Sequence, residues 1–178
     1  MSMKMAPKVM VFLVLVSAVA LWPSANCQGL VLSSAAREMG LTYEDVSVYM
    51  RIVRQDETIY QNLLVSNAAD FQALLSSRTI AAFNVSQAAG KCAWTLSQTA
   101  LTDLNEKAEA ATVKLSETSR TLWKTLQEAE TQDERVAAVE KVITTKMMTA
   151  ASITQVSTEM AQTYTTAVVA IKDCIKQK

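Results

Sequence analysis

Apolar residues recur at seven-residue steps along three long stretches of the chain, which is the spacing of α-helices that pack side by side. In the first stretch the spacing is interrupted once, at Asn67. We therefore predict a helix over residues 43–89, with the alternative that a loop at Ser66–Asn67 divides it in two. The apolar members of this series are Val46, Val53, Tyr60, Leu74 and Ala81.

The second and third stretches predict helices over residues 92–130 and 133–175. The second has one unbroken series, formed by Trp94, Leu101, Ala108, Leu115, Leu122 and Ala129. The third has two adjacent series, which make an apolar stripe broad enough to face two neighbours or a second chain. These are Val136, Ile143, Ala150, Ser157, Tyr164 and Ile171, beside Val139, Lys146, Ile153, Met160, Ala167 and Cys174.

Residues that start and stop helices agree with these limits. Thr42 and Asp45 have the spacing of a capping box, as do Thr131 and Glu134, and Gly90–Lys91 marks an end for the first helix. A short helical segment over residues 30–39 would be closed by Gly40. Beyond Pro23 the chain has no proline and only three glycines, so strands and hairpins lack their usual turn residues. The predicted fold class is all-α.

The first 27 residues have the pattern of a cleaved signal peptide. Lys4 and Lys8 precede an apolar run from Val9 to Trp22, and small residues precede Gln28, where we expect cleavage. As a helix this run would reach about 21 Å, short of the roughly 30 Å of a hydrocarbon core, which disfavours the alternative of an uncleaved anchor. We expect a secreted, extracellular protein whose single domain covers residues 28–178.

Cleavage before Gln28 removes Cys27 and leaves Cys92 and Cys174, which we expect to form a disulfide in an oxidising compartment. Asp133, in the predicted turn, lies midway between them in sequence. In an antiparallel helical hairpin, residues equidistant from the turn lie at the same level. The sequence thus predicts an elongated antiparallel bundle of three helices, or four with the Ser66–Asn67 loop, with coiled-coil-like packing.

The composition excludes several kinds of chemistry. The chain has no histidine, which removes histidine-dependent nucleophilic catalysis and histidine-ligated metal sites. Seventeen basic residues balance seventeen acidic ones, and nucleic-acid binding normally needs a basic surface. We predict no catalytic residues, no metal site, no cofactor and no nucleic-acid partner.

We therefore expect a non-enzymatic protein that acts through contact with another extracellular protein, or as an extracellular structural or effector factor. The alternative is a carrier that holds a small hydrophobic molecule between its helices. Asn84–Val85–Ser86 is a sequon for N-glycosylation, although Asn84 would point inward if the buried series followed Ala81. The residues that could line a ligand site are Tyr60, Phe71, Trp94, Met147, Met160 and Tyr164.

Overall fold

A computed structural model describes residues 40–176 of the chain, and three α-helices contain almost all of them. Helix α1 spans Tyr43–Val85, α2 spans Gln87–Gln127 and α3 spans Gln132–Lys176. The described residues include no strand, so the all-α prediction is confirmed for this part of the chain. The leader predicted for residues 1–27 and the helical segment predicted for residues 30–39 lie outside the described residues.

Capping boxes hold the starts of α1 and α3. The N–H of Asp45 donates to Thr42 Oγ1 over 3.2 Å, and the N–H of Thr42 donates to Asp45 Oδ2 over 2.8 Å. Thr131 and Glu134 exchange the same two bonds, at 3.3 and 2.8 Å. Each box satisfies N–H groups that a helix start leaves without a backbone partner. Hydrogen bonds from Thr42 lower the pKa of Asp45, and those from Thr131 lower the pKa of Glu134.

The boundary between α1 and α2 differs from the prediction. Helix α1 ends at Val85 rather than at residue 89, and Gly90–Lys91 lies inside α2. The reason is Ser86, whose hydroxyl oxygen accepts a hydrogen bond from the N–H of Ala89 over 3.1 Å. The capping residue Ser86 thus lies six residues before the predicted start of α2. Ala89 stands at the position where a capping box has an acidic or amide residue, so the sequence gives no sign of this cap.

The loop considered at Ser66–Asn67 is absent, because α1 runs through these residues without a break. The four-helix alternative is therefore wrong. Asn67 is half-buried, and its Nδ2 donates to Ser157 Oγ on α3 over 3.3 Å. A polar residue in the apolar series thus marks a hydrogen bond between helices.

The described chain divides into two compact units, and each contains parts of all three helices. Unit 1 comprises residues 40–55 and Thr118–Thr154, and unit 2 comprises Asp56–Glu117 and residues 155–176. The core of unit 1 is formed by Leu41, Val46, Val53, Leu122, Leu126, Ala129, Ala138, Val139 and Val142.

The side chain of Arg135 connects the segment before α1 to the segment before α3. Its Nε donates to the carbonyl oxygen of Leu41 over 2.8 Å, and its Nη1 donates to that of Glu130 over 2.6 Å. Its guanidinium group also lies 4.8 Å from the centre of the Tyr43 ring. One side chain thereby holds the start of α1 against the turn before α3.

In unit 2, the contacts between α1 and α2 show that these helices run antiparallel. Gln61 Nε2 donates to Ser116 Oγ over 2.9 Å, and the hydroxyls of Thr79 and Ser97 are hydrogen-bonded at 2.7 Å. As α1 advances from Gln61 to Thr79, its partner in α2 moves back from Ser116 to Ser97. Thr79 and Ser97 are both buried, so their mutual bond satisfies polar groups that would otherwise be costly to bury.

Helix α3 runs antiparallel to α2 in the same unit. Thr163 Oγ1 donates to Asp103 Oδ2 over 2.6 Å, and a disulfide joins Cys92 to Cys174. Asp133 lies midway in sequence between the members of both pairs. The predicted register of this hairpin is therefore confirmed by two independent contacts, and the three packed helices form a bundle.

The predicted seven-residue series stay close to the core in α3 but not in α1. From Ala150 onward the predicted α3 residues are buried, except for Tyr164, which is half-buried. In α1 the predicted series passes from the buried Val46 and Val53 to the half-buried Tyr60 and Leu74 and then to the exposed Ala81. The residues that α1 buries beyond Val53 are Leu64, Phe71, Leu75, Thr79 and Ala82. A straight α-helix drifts by about 20° per seven residues, so a strict seven-residue series leaves the core after several turns.

Candidate interaction surface

The chain reverses between α1 and α2 at a corner with a single non-helical residue, Ser86. The ring of Phe83, in the last turn of α1, lies directly over Gly90 in the first turn of α2. A Cβ atom at Gly90 would overlap this ring. The absence of a side chain at Gly90 therefore allows the two helices to approach closely.

Large apolar side chains are exposed around this corner. The exposed fractions are 62% for Ile80, 44% for Phe83 and 55% for Trp94. Ile80 lies one turn before Phe83 on α1, and Trp94 lies one turn after Gly90 on α2, so both lie one helical turn from the contact between Phe83 and Gly90. Trp94 was expected to be buried, but the core residue at this level of α2 is Ala93.

The charged residues that flank the corner along α1 and α2 are basic. No acidic residue occurs between Asp70 and Asp103, and the only charged residues in that interval are Arg78 and Lys91. Both side chains are exposed. We refer to Ile80, Phe83, Lys91 and Trp94 together as the hairpin-end surface.

The disulfide lies beside this surface. Cys92 and Cys174 have Cα atoms 5.9 Å apart, which confirms the predicted pair. Cys92 is exposed and Cys174 is buried. Because α2 begins at Gln87, Cys92 lies within regular helix. The bond joins α2 to α3 two residues before Trp94.

Asn84, the acceptor of the sequon, is exposed. The buried residue at this level of α1 is Ala82 and not Ala81, and this turns Asn84 away from the core. The side chain thus has room for a glycan, next to Phe83 in sequence.

The six residues considered for a ligand site do not form one group. Five of them belong to unit 2, and four of these five lie in or beside its core: Phe71 and Tyr164 stack with ring centres 5.1 Å apart, Met160 is fully buried and Tyr60 is half-buried. Trp94 is exposed on the hairpin-end surface. The sixth, Met147, lies in unit 1 and is half exposed.

Met147 is part of a second exposed surface, the methionine patch. Met147 and Met148 are 50% and 68% exposed, and Ala151, one turn further along α3, is also exposed. Between Lys146 and Glu159, α3 contains no charged residue. Low charge and exposed methionine are typical of the centres of protein interfaces.

Asp103, one of the acidic residues of α2, has a structural role. The Asp103 carboxylate accepts hydrogen bonds from Lys107 and from Thr163, and the pKa of Asp103 is lowered by these two bonds, chiefly by that from Lys107. The second bond joins α2 to α3. Among the described residues, no three His, Cys, Asp or Glu side chains are placed so that they could hold a metal ion.

Sequence reasoning identified the disulfide and the sequon but not the hairpin-end surface as a whole. The available signal was the interval between Asp70 and Asp103, which contains two basic residues and no acid.

Within residues 40–176, none of the helices combines the length and the apolar character needed to cross a membrane. Comparison of the chain with protein-family models, curated proteins and solved structures finds no match.

Proposed function

We propose that this chain is a secreted, non-enzymatic helical protein that acts by contact with an extracellular protein, or as an extracellular structural or effector factor. The observation that carries the proposal is the methionine patch. Two adjacent methionines are at least half exposed on a helix whose opposite side already packs in the core of unit 1. Flexible thioether side chains adapt to the shape of a protein partner.

The disulfide and the leader pattern support secretion. Disulfides persist in oxidising compartments such as the extracellular space, and this bond joins two of the three helices. The proposal includes removal of residues 1–27 and glycosylation of Asn84. It also includes coiled-coil-like packing, which is supported by the seven-residue spacing of buried residues in α3.

Site-specific photo-crosslinking tests the protein contact. A photoreactive phenylalanine analogue replaces Met148 in the secreted protein, and the matched control carries it at Arg51, an exposed polar site of unit 1. From the native extracellular fluid we expect a discrete adduct at position 148 only. Excess unlabelled protein should abolish this adduct, and excess M147D/M148D protein should not. Equal labelling at position 51, or competition by M147D/M148D, would contradict the proposal.

Expression in a eukaryotic secretory host tests the export steps. We expect the protein in the medium to begin at Gln28 and to lose mass on treatment with an N-glycosidase. The Asn84→Gln variant should have the lower mass without treatment. Retention of residues 1–27 on membranes would contradict secretion, and an unchanged mass would contradict glycosylation.

A second proposal is carriage of a small hydrophobic molecule in unit 2, favoured by the Phe71–Tyr164 stack and the buried Met160. These side chains already contact one another or fill the core, so a ligand would have to separate them. Native mass spectrometry after incubation with fatty acids should then detect a bound fatty acid. Phe71→Ala should change the amount that is bound. Detection of the empty protein alone would exclude this proposal.

A further inference from the structure

We propose that residues 30–39 form a short helix that lies antiparallel to the start of α1 and fills an apolar groove between α1 and α3 of unit 1. We refer to this groove, which is lined by Val48 and Ile52 of α1 and by Val136 and Ile143 of α3, as the α1–α3 groove. The inference goes beyond the proposed protein contact, because it assigns a second apolar surface to the chain itself. It does not depend on leader cleavage, since residues 30–39 follow the expected cleavage site and stay in the chain in either case.

The two neighbours of Val53 show which side of α1 lines this groove. Val53 is buried in the core of unit 1, and the guanidinium group of Arg54 lies 4.8 Å from the centre of the Trp123 ring on α2. Successive residues of an α-helix point about 100° apart, so Ile52 lies on the opposite flank of α1, away from α2 and toward α3. Ile52 is half-buried, and Val48, one turn earlier, is 41% exposed. This flank of α1 therefore has apolar side chains that the core does not cover.

Gln132 shows which side of α3 lines the groove. Its side chain lies against Gly40, where a Cβ atom would be 2.9 Å from Gln132 Nε2. Val136 and Ile143 follow Gln132 by four and eleven residues, about one and three turns of helix, so the three residues lie on one side of α3. Val136 and Ile143 are half-buried and pack against the core of unit 1. The groove therefore begins beside Gly40, the residue at which the described chain starts.

Residues 30–39 have the apolar pattern of a helix that packs along one side. Four apolar residues would lie within about 100° of one another on such a helix, which is the width of a core-facing stripe. These are Val31, Leu32, Ala35 and Met39. The residues outside this stripe include Leu30, Ser33, Ser34 and Arg37.

Gly40 has the backbone conformation that ends a helix. Its φ is 85°, in the left-handed region that a glycine commonly adopts directly after the last residue of a helix. Only residues 40–42 precede the start of α1, and so short a connection makes two helices antiparallel neighbours. Counted from the middle of this connection, Ala35 is level with Val48, and Val31 with Ile52, to within one residue. The apolar stripe of residues 30–39 thus meets the apolar flank of α1.

Gln132 has an unused hydrogen-bond donor at the same place. Its Nε2 is buried and has no hydrogen-bond partner within residues 40–176. The amide cannot be reversed, because its Oε1 accepts a hydrogen bond from Arg135 Nη2 over 3.3 Å. A helix that ends at Met39 leaves the carbonyl oxygens of its last turn without partners inside the helix. One of these oxygens beside Gly40 would be the acceptor that the buried donor lacks.

Amide hydrogen exchange measured by mass spectrometry tests the docking. The protein is the full chain recovered from a eukaryotic secretory host, with its disulfide intact. An isolated helix as short as residues 30–39 is marginal in water, so its amides are protected only when it packs against the bundle. We expect exchange over residues 34–39 to be at least about 100-fold slower than in an unstructured peptide of the same sequence.

Matched substitutions in residues 30–39 test the side of the helix that packs. Leu32→Asp places a charge in the apolar stripe and should abolish the protection of residues 34–39. Leu30→Asp makes the same change two residues away, outside the stripe, and should alter the protection by less than about 3-fold. The substituted residues lie outside α1, α2 and α3, so neither variant should alter exchange in those helices.

Substitutions in the bundle test the place where the helix packs. Ile52→Asp should abolish the protection of residues 34–39, whereas Val113→Asp, at an exposed site of unit 2, should leave it unchanged. Gln132→Glu keeps the shape of the side chain but replaces its donor with an acceptor, and should reduce the protection by about 10-fold. Exchange in α2 and α3 is measured in the same samples and should match that of the reference protein, which shows that the bundle is folded.

Several results would overturn the inference: no protection of residues 34–39 in the reference protein, or equal losses for Leu30→Asp and Leu32→Asp. Protection that survives Ile52→Asp would show that the segment packs on another surface, and the assigned groove would then be wrong. None of these results bears on the crosslink at Met148 or on the start of the secreted chain, so the proposals fail independently.

Discussion

The Cys92–Cys174 disulfide is expected to stabilise the protein mainly by restricting its unfolded state. The two residues are 82 positions apart, and their bond closes a loop of that length. In the chain-entropy model, closing such a loop removes about 15 cal/mol/K from the unfolded chain, which is about 4.5 kcal/mol at 25 °C. This value is an upper figure, because residual structure in the unfolded chain reduces the entropy that the bond removes.

The folded state should change little when the bond is reduced. Helices α2 and α3 remain joined by the Asp103–Thr163 hydrogen bond and by the buried side chains of unit 2. We therefore expect reduction to lower the free energy of unfolding by about 3 to 4.5 kcal/mol while the helical content stays the same. The slope of that free energy against urea concentration should increase, since the unlinked chain exposes more surface on unfolding.

Urea unfolding followed by far-ultraviolet circular dichroism provides the measurement. The oxidised protein, the same protein reduced with a phosphine, and the C92A/C174A variant are compared, and each free energy is extrapolated with its own slope. The phosphine should leave the unfolding of C92A/C174A unchanged, which makes this variant the control for the reagent. A difference below about 1 kcal/mol between oxidised and reduced protein would refute the reasoning, because the bond would then not restrict the unfolded chain as the closure of so long a loop should.

Three further predictions follow from single side chains. Phe71→Ala should destabilise the protein by about 3 to 5 kcal/mol in urea unfolding because the ring is fully buried, whereas Val65→Ala, at an exposed site, should change stability by less than about 0.5 kcal/mol; similar losses for both would contradict the packing of unit 2. Gly90→Ala should destabilise by about 1 to 3 kcal/mol through overlap with Phe83, but in a Phe83→Ala background it should stabilise by up to about 1 kcal/mol, since alanine is the better helix former. Asp103→Asn should cost less than about 1 kcal/mol at pH 7, because the carboxylate is 43% exposed. Since its folded pKa is lowered, the carboxylate stabilises the protein above the ordinary pKa and ceases to do so as the pH falls through the folded value, so the gap between variant and wild type should close below about pH 4.

The elements that the sequence predicts best are those whose signals are local. Thr131 and Glu134 fix the start of α3 within four residues of chain, and the predicted and observed limits of α3 differ by one residue at each end. The level of Cys92 against Cys174 then follows from counting residues away from this turn. No further information about packing is needed for either inference.

The start of α2 and the hairpin-end surface depend on contacts that no local pattern encodes. Ser86 resembles the many other serines and threonines of the chain, and only the corner shows that its hydroxyl caps a helix. Whether Trp94 or Ala93 faces the core depends on a rotation of about 100° along α2. A seven-residue count cannot resolve that difference, so Trp94 is expected inside, and Asn84 would point inward only if the buried series followed Ala81.

The position of Asp133 midway between paired residues limits how this protein can change in length. An insertion or deletion on one side of the turn would shift the two cysteines to different heights, and would separate Asp103 from Thr163 at the same time. Only matched changes on both sides, in whole helical turns, would keep the sulfur atoms opposite each other. Homologous chains, where they occur, should therefore gain or lose residues in pairs about the turn, and should vary more freely in the residues before Thr42.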